Sequence, residues 1–199
     1  GNFNLKPFYS NIEGKTEELN LSYIFGSNPF ILDLLKTELF NNNNLDLRIN
    51  IEAKKVLNNS IFNNIYIKSN IHEGLIDLDN TNFRWKDFTK FKLSNTLIYV
   101  KNGELVLDGK LDIEINDYNE IYKFFLTPKN YRNKIEKINL NFMYNFDQKT
   151  AELKDIKIDN KFNQNINEIL SNLILKKDNL QNKIYFKNLL NQAIKSYAG

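Results

Sequence analysis

The sequence predicts a mainly β fold with flanking helices, of the α+β class, built on a long antiparallel meander. Three observations lead to this prediction. Apolar residues recur at every second position over long stretches, as expected of strands with one buried face. A strong hairpin turn, Asn102-Gly103, joins two of these stretches. Helical spacing of three and four occurs only near the two ends and in one short insertion, so we expect helices to cap the ends or one face of the sheet.

The longest alternating run lies between Asn102 and Asp117. Gly109 is the single gap in its apolar series, where we expect the sheet to bend. At about 3.3 Å per residue the strand would be roughly 36 Å long. The apolar members of the run are Leu105, Leu107, Leu111, Ile113 and Ile115.

Further strands follow the same period, and their short connections favour antiparallel neighbours. The apolar series changes phase near Asn80, where we expect a bulge or bend, and again near Asp155, and it has a weak point at Asn63. An N-terminal strand is predicted from the alternation of Leu19, Leu21 and Tyr23, and one face of another strand from Phe91, Leu93, Leu97 and Tyr99. The remaining strands are predicted at residues 45–54, 61–71, 75–85, 138–146 and 151–158.

Helices are predicted in three places. Asn28-Pro29 suits the start of a helix that reaches Phe40, and Asp117 suits the cap of a short helix. Two amphipathic patterns, within residues 166–174 and 180–194, close the chain. Because no linker is visible, residues 1–199 are interpreted as one unit. Its parts are an N-terminal strand and helix (1–44), a β-sheet core with a helical insertion near 117–134 (45–160) and C-terminal helices (161–199).

Composition excludes several classes of site. The chain has no cysteine and one histidine, which excludes disulfides and leaves only carboxylates as metal ligands, so no metal or cofactor is expected. No stretch of 18 apolar residues is present. Since the chain begins at Gly1 and its only methionine is Met143, we expect a processed product or a fragment. The 35 asparagines fit a bias towards A/T-rich codons.

Catalytic patterns are missing, so no enzyme is predicted. His72 lies beside a turn, and the sequence contains no nucleophile motif with which it could form a catalytic pair. The seven glycines are scattered and form no phosphate-binding loop. Two pairs of strand carboxylates favour a solvated sheet face over acid–base chemistry; they are Asp77 with Asp79 and Asp108 with Asp112.

Nucleic-acid binding is not predicted either. The net charge is only +3, and acidic residues are interspersed with basic ones. The best local match to a nucleic-acid site combines lysines and aromatics and is interrupted by Asp87; it consists of Lys86, Lys90, Lys92, Trp85, Phe88 and Phe91.

The continuous apolar face of the strands leaves two interpretations open. In the first, amphipathic helices cover the whole face. The hydrophobic pattern alone favours this interpretation. Alternatively, part of the face stays open as a hydrophobic groove for acyl chains, since a large apolar surface in water is a liability unless it binds something.

The order of these parts resembles the C-terminal region of AsmA-like proteins, relatives of TamB in Gram-negative envelopes. Two short patterns carry the resemblance most clearly: a strand I-x-x-G-x-I-x-L at residues 71–78 and a strand ending in L-x-G at residues 105–109. The matching stretches, which fall within about residues 45–160, are DLRINIEAKKV (46–56), FNNIYIKSNIHEGLIDLDNTNF (62–83), NGELVLDGKLDI (102–113) and INLNFMYNFDQKTAELKDIKID (138–159).

The resemblance implies a non-enzymatic periplasmic module with its sheet curled into an open groove, held at the inner membrane by an anchor upstream of this chain. Such a groove would pass phospholipid acyl chains between envelope membranes and support outer-membrane assembly, with headgroups near lysines such as Lys101 and Lys110. The alternative is a structural or protein-interaction module with a fully covered core and no ligand. The predicted groove lining is Leu45, Leu47, Ile49, Ile51, Ile65, Ile67, Leu105, Leu107, Leu111, Ile113, Ile138, Leu140, Phe142 and Tyr144.

Overall fold

A computed structural model describes residues 1–5, 8–21, 30–37, 40–171, 175–176 and 183–198. These residues form one sheet of twelve strands with four α-helices and one 3₁₀ helix, which confirms the mainly β prediction. The strands are β1 (Asn2–Leu5), β2 (Phe8–Leu19), β3 (Leu45–Val56), β4 (Asn59–His72), β5 (Leu75–Asp77), β6 (Asn82–Trp85), β7 (Thr89–Lys101), β8 (Glu104–Ile115), β9 (Lys137–Asn145), β10 (Thr150–Ile158), β11 (Lys161–Phe162) and β12 (Leu175–Lys176). The helices are α1 (Phe30–Lys36), α2 (Tyr118–Phe125), the 3₁₀ helix (Lys129–Tyr131), α3 (Gln164–Ser171) and α4 (Lys183–Ala198).

The sheet is open, and its order follows the chain from β1 to β11, with β6 between β4 and β7 and with β12 beside β10. Every pair is antiparallel except β2 with β3, which run parallel. The helix α1 lies in the chain between these two strands, and a parallel pair requires a connection of this length. The strand predicted through Leu19, Leu21 and Tyr23 is wrong in its position, because β2 ends at Leu19 and Leu21 lies in a turn; Tyr23 lies outside the described residues.

The long strand predicted from Leu105 to Ile115 is confirmed as β8. Its hairpin with β7 is confirmed as well, because Lys101 pairs with Glu104 across a two-residue turn. Asn102 and Gly103 have φ values of 53° and 80°, and positive φ at both positions is what a type I′ hairpin turn needs.

Irregularities occur at all three of these places. The register of β10 against β9 shifts between Lys154 and Lys157, the register of β4 against β6 shifts after Asn63, and Asn80 lies in the turn between β5 and β6. Two further shifts have no counterpart in the sequence pattern: β3 shifts against β4 between Lys55 and Val56, and β7 shifts against β8 between Ser94 and Leu97.

The shift in β7 corrects one expectation. Leu97 and Tyr99 lie on the opposite face of the sheet from Phe91 and Leu93, because the extra residue reverses the alternation. The bend expected at Gly109 stays a prediction: β8 keeps continuous register with β9, while the bulge of β7 lies opposite Gly109.

Helices occur at each of the predicted places. The helix α1 covers Phe30–Lys36 of the predicted 28–40, of which residues 28, 29, 38 and 39 lie outside the described part of the chain. The cap of α2 is confirmed, because Asp117 Oδ1 accepts hydrogen bonds from the N–H groups of residues 119 and 120. Of the closing patterns, residues 173, 174 and 180 lie outside the described residues, and α3 and α4 cover the rest.

Candidate functional site

The sheet has one apolar face and one charged face. On one face, here named the apolar face, directly paired side chains form a row that crosses eight strands. At about 4.8 Å per strand this row is roughly 34 Å long. Its members are Ser10, Leu47, Ile71, Ile76, Ile98, Leu107, Tyr144 and Ala151.

All fourteen residues of the predicted lining lie on the apolar face, as their register shows. They form two groups, one on β3 and β4 and one on β8 and β9, separated by β5, β6 and β7. Leu105 and Ile65 are buried, with exposed fractions of 1% and 6%, and the other twelve are half-buried. The placement on one face is therefore as predicted, and the two groups are joined only through residues outside the predicted lining, such as Ile76 and Ile98.

Helices cover the part of the apolar face formed by β10, the start of β9 and the end of β8. Side chains of α2, α3 and α4 form a buried cluster with Ile156 and Ile158 of β10, and Ile138 and Leu140 pack against it. Burial raises the pKa of Tyr122, a central member of the cluster, to about 12, and its hydroxyl donates to the Asn133 carbonyl at 2.6 Å. Ile138 and Leu140 of the predicted lining therefore contribute to the hydrophobic core.

The half on β2, β3 and β4 is more open, and we call it the open half. Its lining is mainly aliphatic on β3 and β4, and on β2 Phe8 and Ile12 are 37% and 48% exposed. Ile51 of β3 lies opposite Ile67 of β4, and both are half-buried. Among the described helices, the extensive contacts with the sheet are made on β8 and β10, not on these three strands. The open half is where a ligand could reach apolar surface.

Three phenylalanines lie between the two halves and were not included in the predicted lining. The ring centroid of Phe83 is 4.9 Å from that of Phe91 and 5.5 Å from that of Phe62. Phe83 pairs with Phe91, which pairs with Ile113, so this cluster is on the apolar face. Alternation within each strand could have indicated these residues, but only the register between strands joins them to the lining.

Charged side chains are concentrated on the opposite face, here named the charged face. Lys101 and Lys110 lie on it, so the expected contact of these lysines with the headgroup of a lipid held in the groove is wrong. A hollow of about 630 Å³ on this face is lined by these lysines and by Leu97, Tyr99 and Met143 among others. Burial raises the pKa of Tyr99, and the neighbouring Asp108 acts in the same direction.

The described residues offer little for metal or acid–base chemistry. They contain no group of three or more histidine and acidic side chains that could hold a metal ion. His72 is an exposed residue at the end of β4, 3.6 Å from the carboxylate of Glu73. No helix among the described residues has the length and hydropathy needed to cross a membrane.

Comparison of the chain with family models, curated proteins and solved structures finds no match. The geometry of the apolar face is therefore the main basis for a function.

Proposed function

We propose that this protein is a non-enzymatic module whose open half binds the acyl chains of phospholipids. The observation that carries the proposal is the aliphatic surface of β2, β3 and β4, which stays partly exposed on a sheet whose other half is covered by helices. The resemblance to AsmA-like proteins supports placing this activity in the periplasm, between envelope membranes, with a role in outer-membrane assembly.

The binding mechanism is passive. Acyl chains leave water for an aliphatic surface, and each buried CH₂ contributes about 0.8 kcal/mol. Within the described part of β3, no charged side chain points to the apolar face from Leu45 to Ala53, so a chain lying there meets no desolvated charge. Because Lys101 and Lys110 are on the other face, headgroups would remain in water at the edge of the open half instead of pairing with those lysines.

The proposal is tested by measuring the phospholipid that co-purifies with the protein. Ile12→Glu places a charge in the open half at a position that is already 48% exposed, so the fold should tolerate it. We expect at least about a threefold loss of co-purified phospholipid, measured by mass spectrometry of an organic extract. Asn11→Glu is the matched control, because Asn11 is the adjacent residue on the charged face, where it pairs with Arg48.

Wild-type protein that carries no more phospholipid than an unrelated control protein would contradict the proposal. So would equal lipid content in the two variants. The substitution Ile113→Asp is less suitable, because Ile113 pairs with Ile138 next to the helix-covered cluster, and its charge should unfold the protein.

A structural or protein-interaction module is the second candidate. It is favoured by the outer edge of β2, where β1 pairs only with residues 8–11 and leaves residues 12–19 without a strand partner among the described residues. Such an edge can accept an added strand from another chain. Absence of bound lipid together with self-association or capture of an extended peptide would support this candidate.

A further inference from the structure

Three exposed apolar side chains lie around α2 and the start of α4, and we call them the end patch: Phe124, Leu126 and Ile184. Their exposed fractions are 39%, 77% and 75%. The two helices are held together here, because Asn191 Nδ2 donates to the Phe125 carbonyl and Lys187 Nζ lies 4.3 Å from the ring centroid of Phe124. The patch is separate from the open half of the sheet.

Leu126 is unfavourable for folding in two independent ways. It is the residue after the last turn of α2 and adopts φ 58°, ψ 35°, a left-handed conformation that favours glycine or asparagine. The turn itself is well formed, since Leu126 N–H donates to the Lys123 carbonyl and Thr127 N–H to the Tyr122 carbonyl. The leucine side chain gains no burial in return. A strained position that holds a large exposed apolar side chain indicates a role outside folding.

The two segments that carry the patch are rich in positive charge. Residues 118–137 and 183–198 together contain eight Lys or Arg and two Asp or Glu, a net charge of +6. Since the whole chain has a net charge of +3, the remaining residues sum to −3. Exposed apolar side chains among lysines suit the boundary of an anionic bilayer, where the apolar groups enter and the ammonium groups stay with the phosphates.

We propose that the end patch docks on anionic phospholipid membranes, with Leu126, Ile184 and Phe124 inserted at the headgroup boundary and with Lys187 beside the phosphates. The proposal is independent of lipid binding in the open half, because the two surfaces share no residue. It assigns a partner to the helices, whereas the proposed function concerns the sheet.

Vesicle binding tests the proposal with the whole chain. We expect the protein to float with vesicles of phosphatidylcholine containing about 30% phosphatidylglycerol, and to bind pure phosphatidylcholine vesicles much more weakly. Raising NaCl from about 0.1 M to about 0.5 M should weaken binding. Trp85 is the only tryptophan and its ring is 4.7 Å from that of Phe124, so brominated acyl chains should quench its fluorescence.

Leu126→Gly separates docking from folding. It removes the exposed side chain and relieves the left-handed strain, so the melting temperature should be equal to or above that of the wild type, while vesicle binding falls roughly tenfold. Leu75→Asn is the control, since Leu75 is a 44% exposed leucine on β5, and it should bind vesicles as the wild type does. The lipid co-purified with Leu126→Gly should be unchanged.

Three results would overturn the proposal. The first is wild-type protein that binds neither type of vesicle, which would leave the end patch as a protein contact. The second is Leu126→Gly protein that binds as tightly as the wild type. The third is equal binding to anionic and neutral vesicles without quenching of Trp85, which would show attachment through another surface.

Discussion

Asparagine has a structural use in this chain that its abundance alone does not reveal. Among the described residues, twelve other than glycine have positive φ, and six of them are asparagines at turns and bulges. Asparagine tolerates this conformation better than most residues because its short amide can bond to the nearby backbone. Codon bias can account for the number of asparagines, but it does not explain these positions, which are Asn58, Asn64, Asn80, Asn95, Asn102 and Asn160.

Asn95 shows why the face of a residue could not always be predicted. Its φ of 48° lies within the shift of β7 that moves Leu97 and Tyr99 to the charged face. Apolar residues occupy odd positions both before and after the bulge. Alternation alone therefore assigns the residues before and after it to the same face. Hydrophobic period detects a bulge only when the apolar series changes phase, as it does near Asp155.

Gly109 gives the prediction at the scale of a residue. A Cβ at this position would lie 2.3 Å from Thr96 Oγ1 and 2.8 Å from Thr96 Cα, because the bulge in β7 presses the fully buried Thr96 onto the glycine. We expect Gly109→Ala to lower the free energy of unfolding by about 1–3 kcal/mol, measured by urea denaturation.

Gly14→Ala is the matched control for Gly109→Ala. A Cβ on Gly14 of β2 would meet no atom within 4 Å, so alanine should be neutral or stabilise by up to about 1 kcal/mol. Equal effects of the two substitutions would mean that the close contact with Thr96 does not determine the choice of glycine.

At the scale of elements, the positions of strands were predicted more reliably than which strands pair with one another. The hairpin of β7 with β8 and the cap of α2 follow from local residue chemistry. The parallel pairing of β2 with β3 depends on a crossover through α1, which no local signal specifies. The position of α1 in the fold likewise depends on distant residues, because Lys36 contacts Asp147 in the turn between β9 and β10.

Asn167 is a second example of a role set by distant contacts. Its side-chain Oδ1 accepts from Ile156 N–H at 2.7 Å and its Nδ2 donates to the Ile156 carbonyl at 2.8 Å. The amide thus bonds both backbone groups of a residue in the bulge of β10. In the sequence Asn167 is one of two asparagines in α3, and nothing local distinguishes it from the exposed Asn165.

The contact between α1 and the β9–β10 turn gives a prediction about pH. The Lys36 ammonium lowers the pKa of Asp147, and the N–H of Leu105, which donates to its other oxygen at 2.8 Å, acts in the same direction, whereas burial opposes them. Since the folded pKa lies below the usual value of about 3.9, this stabilisation is complete above that pH and is lost as the pH falls through the folded pKa. Asp147→Asn should therefore lower the free energy of unfolding by up to about 1 kcal/mol at neutral pH, and the difference from the wild type should vanish in acid.

Denaturation curves measured from neutral pH to about pH 2.5 check this. Asp87→Asn, at an exposed turn, is the control for a lost surface carboxylate. A difference between wild type and Asp147→Asn that stays constant over the whole pH range would show that the ion pair is not its cause.

For the whole molecule, the sequence indicated a one-sided sheet but not how its apolar face is divided. Alternation placed all fourteen predicted lining residues on one face. It could not show that α3 and α4 turn back over β10, because amphipathic helices match any apolar surface of suitable width. The consequence is a fold with two unequal halves, one with a helix-covered core and one with an exposed edge.

Amide hydrogen exchange should reveal this inequality. We expect the slowest exchange in β8 and β9, which have strands on both sides and lie beside the buried cluster. We expect the fastest exchange in β1 and in residues 12–19 of β2, which among the described residues have a strand partner only on the β3 side. Leu189→Ala removes a 7% exposed side chain from the cluster, so it should cost about 2–5 kcal/mol and reduce protection in β8, β9 and β10. Ile12→Ala, at the edge, should leave protection of those strands unchanged. Mass spectrometry of the exchanged peptides measures both, and uniform protection across the sheet, or equal effects of the two substitutions, would contradict the division into two halves.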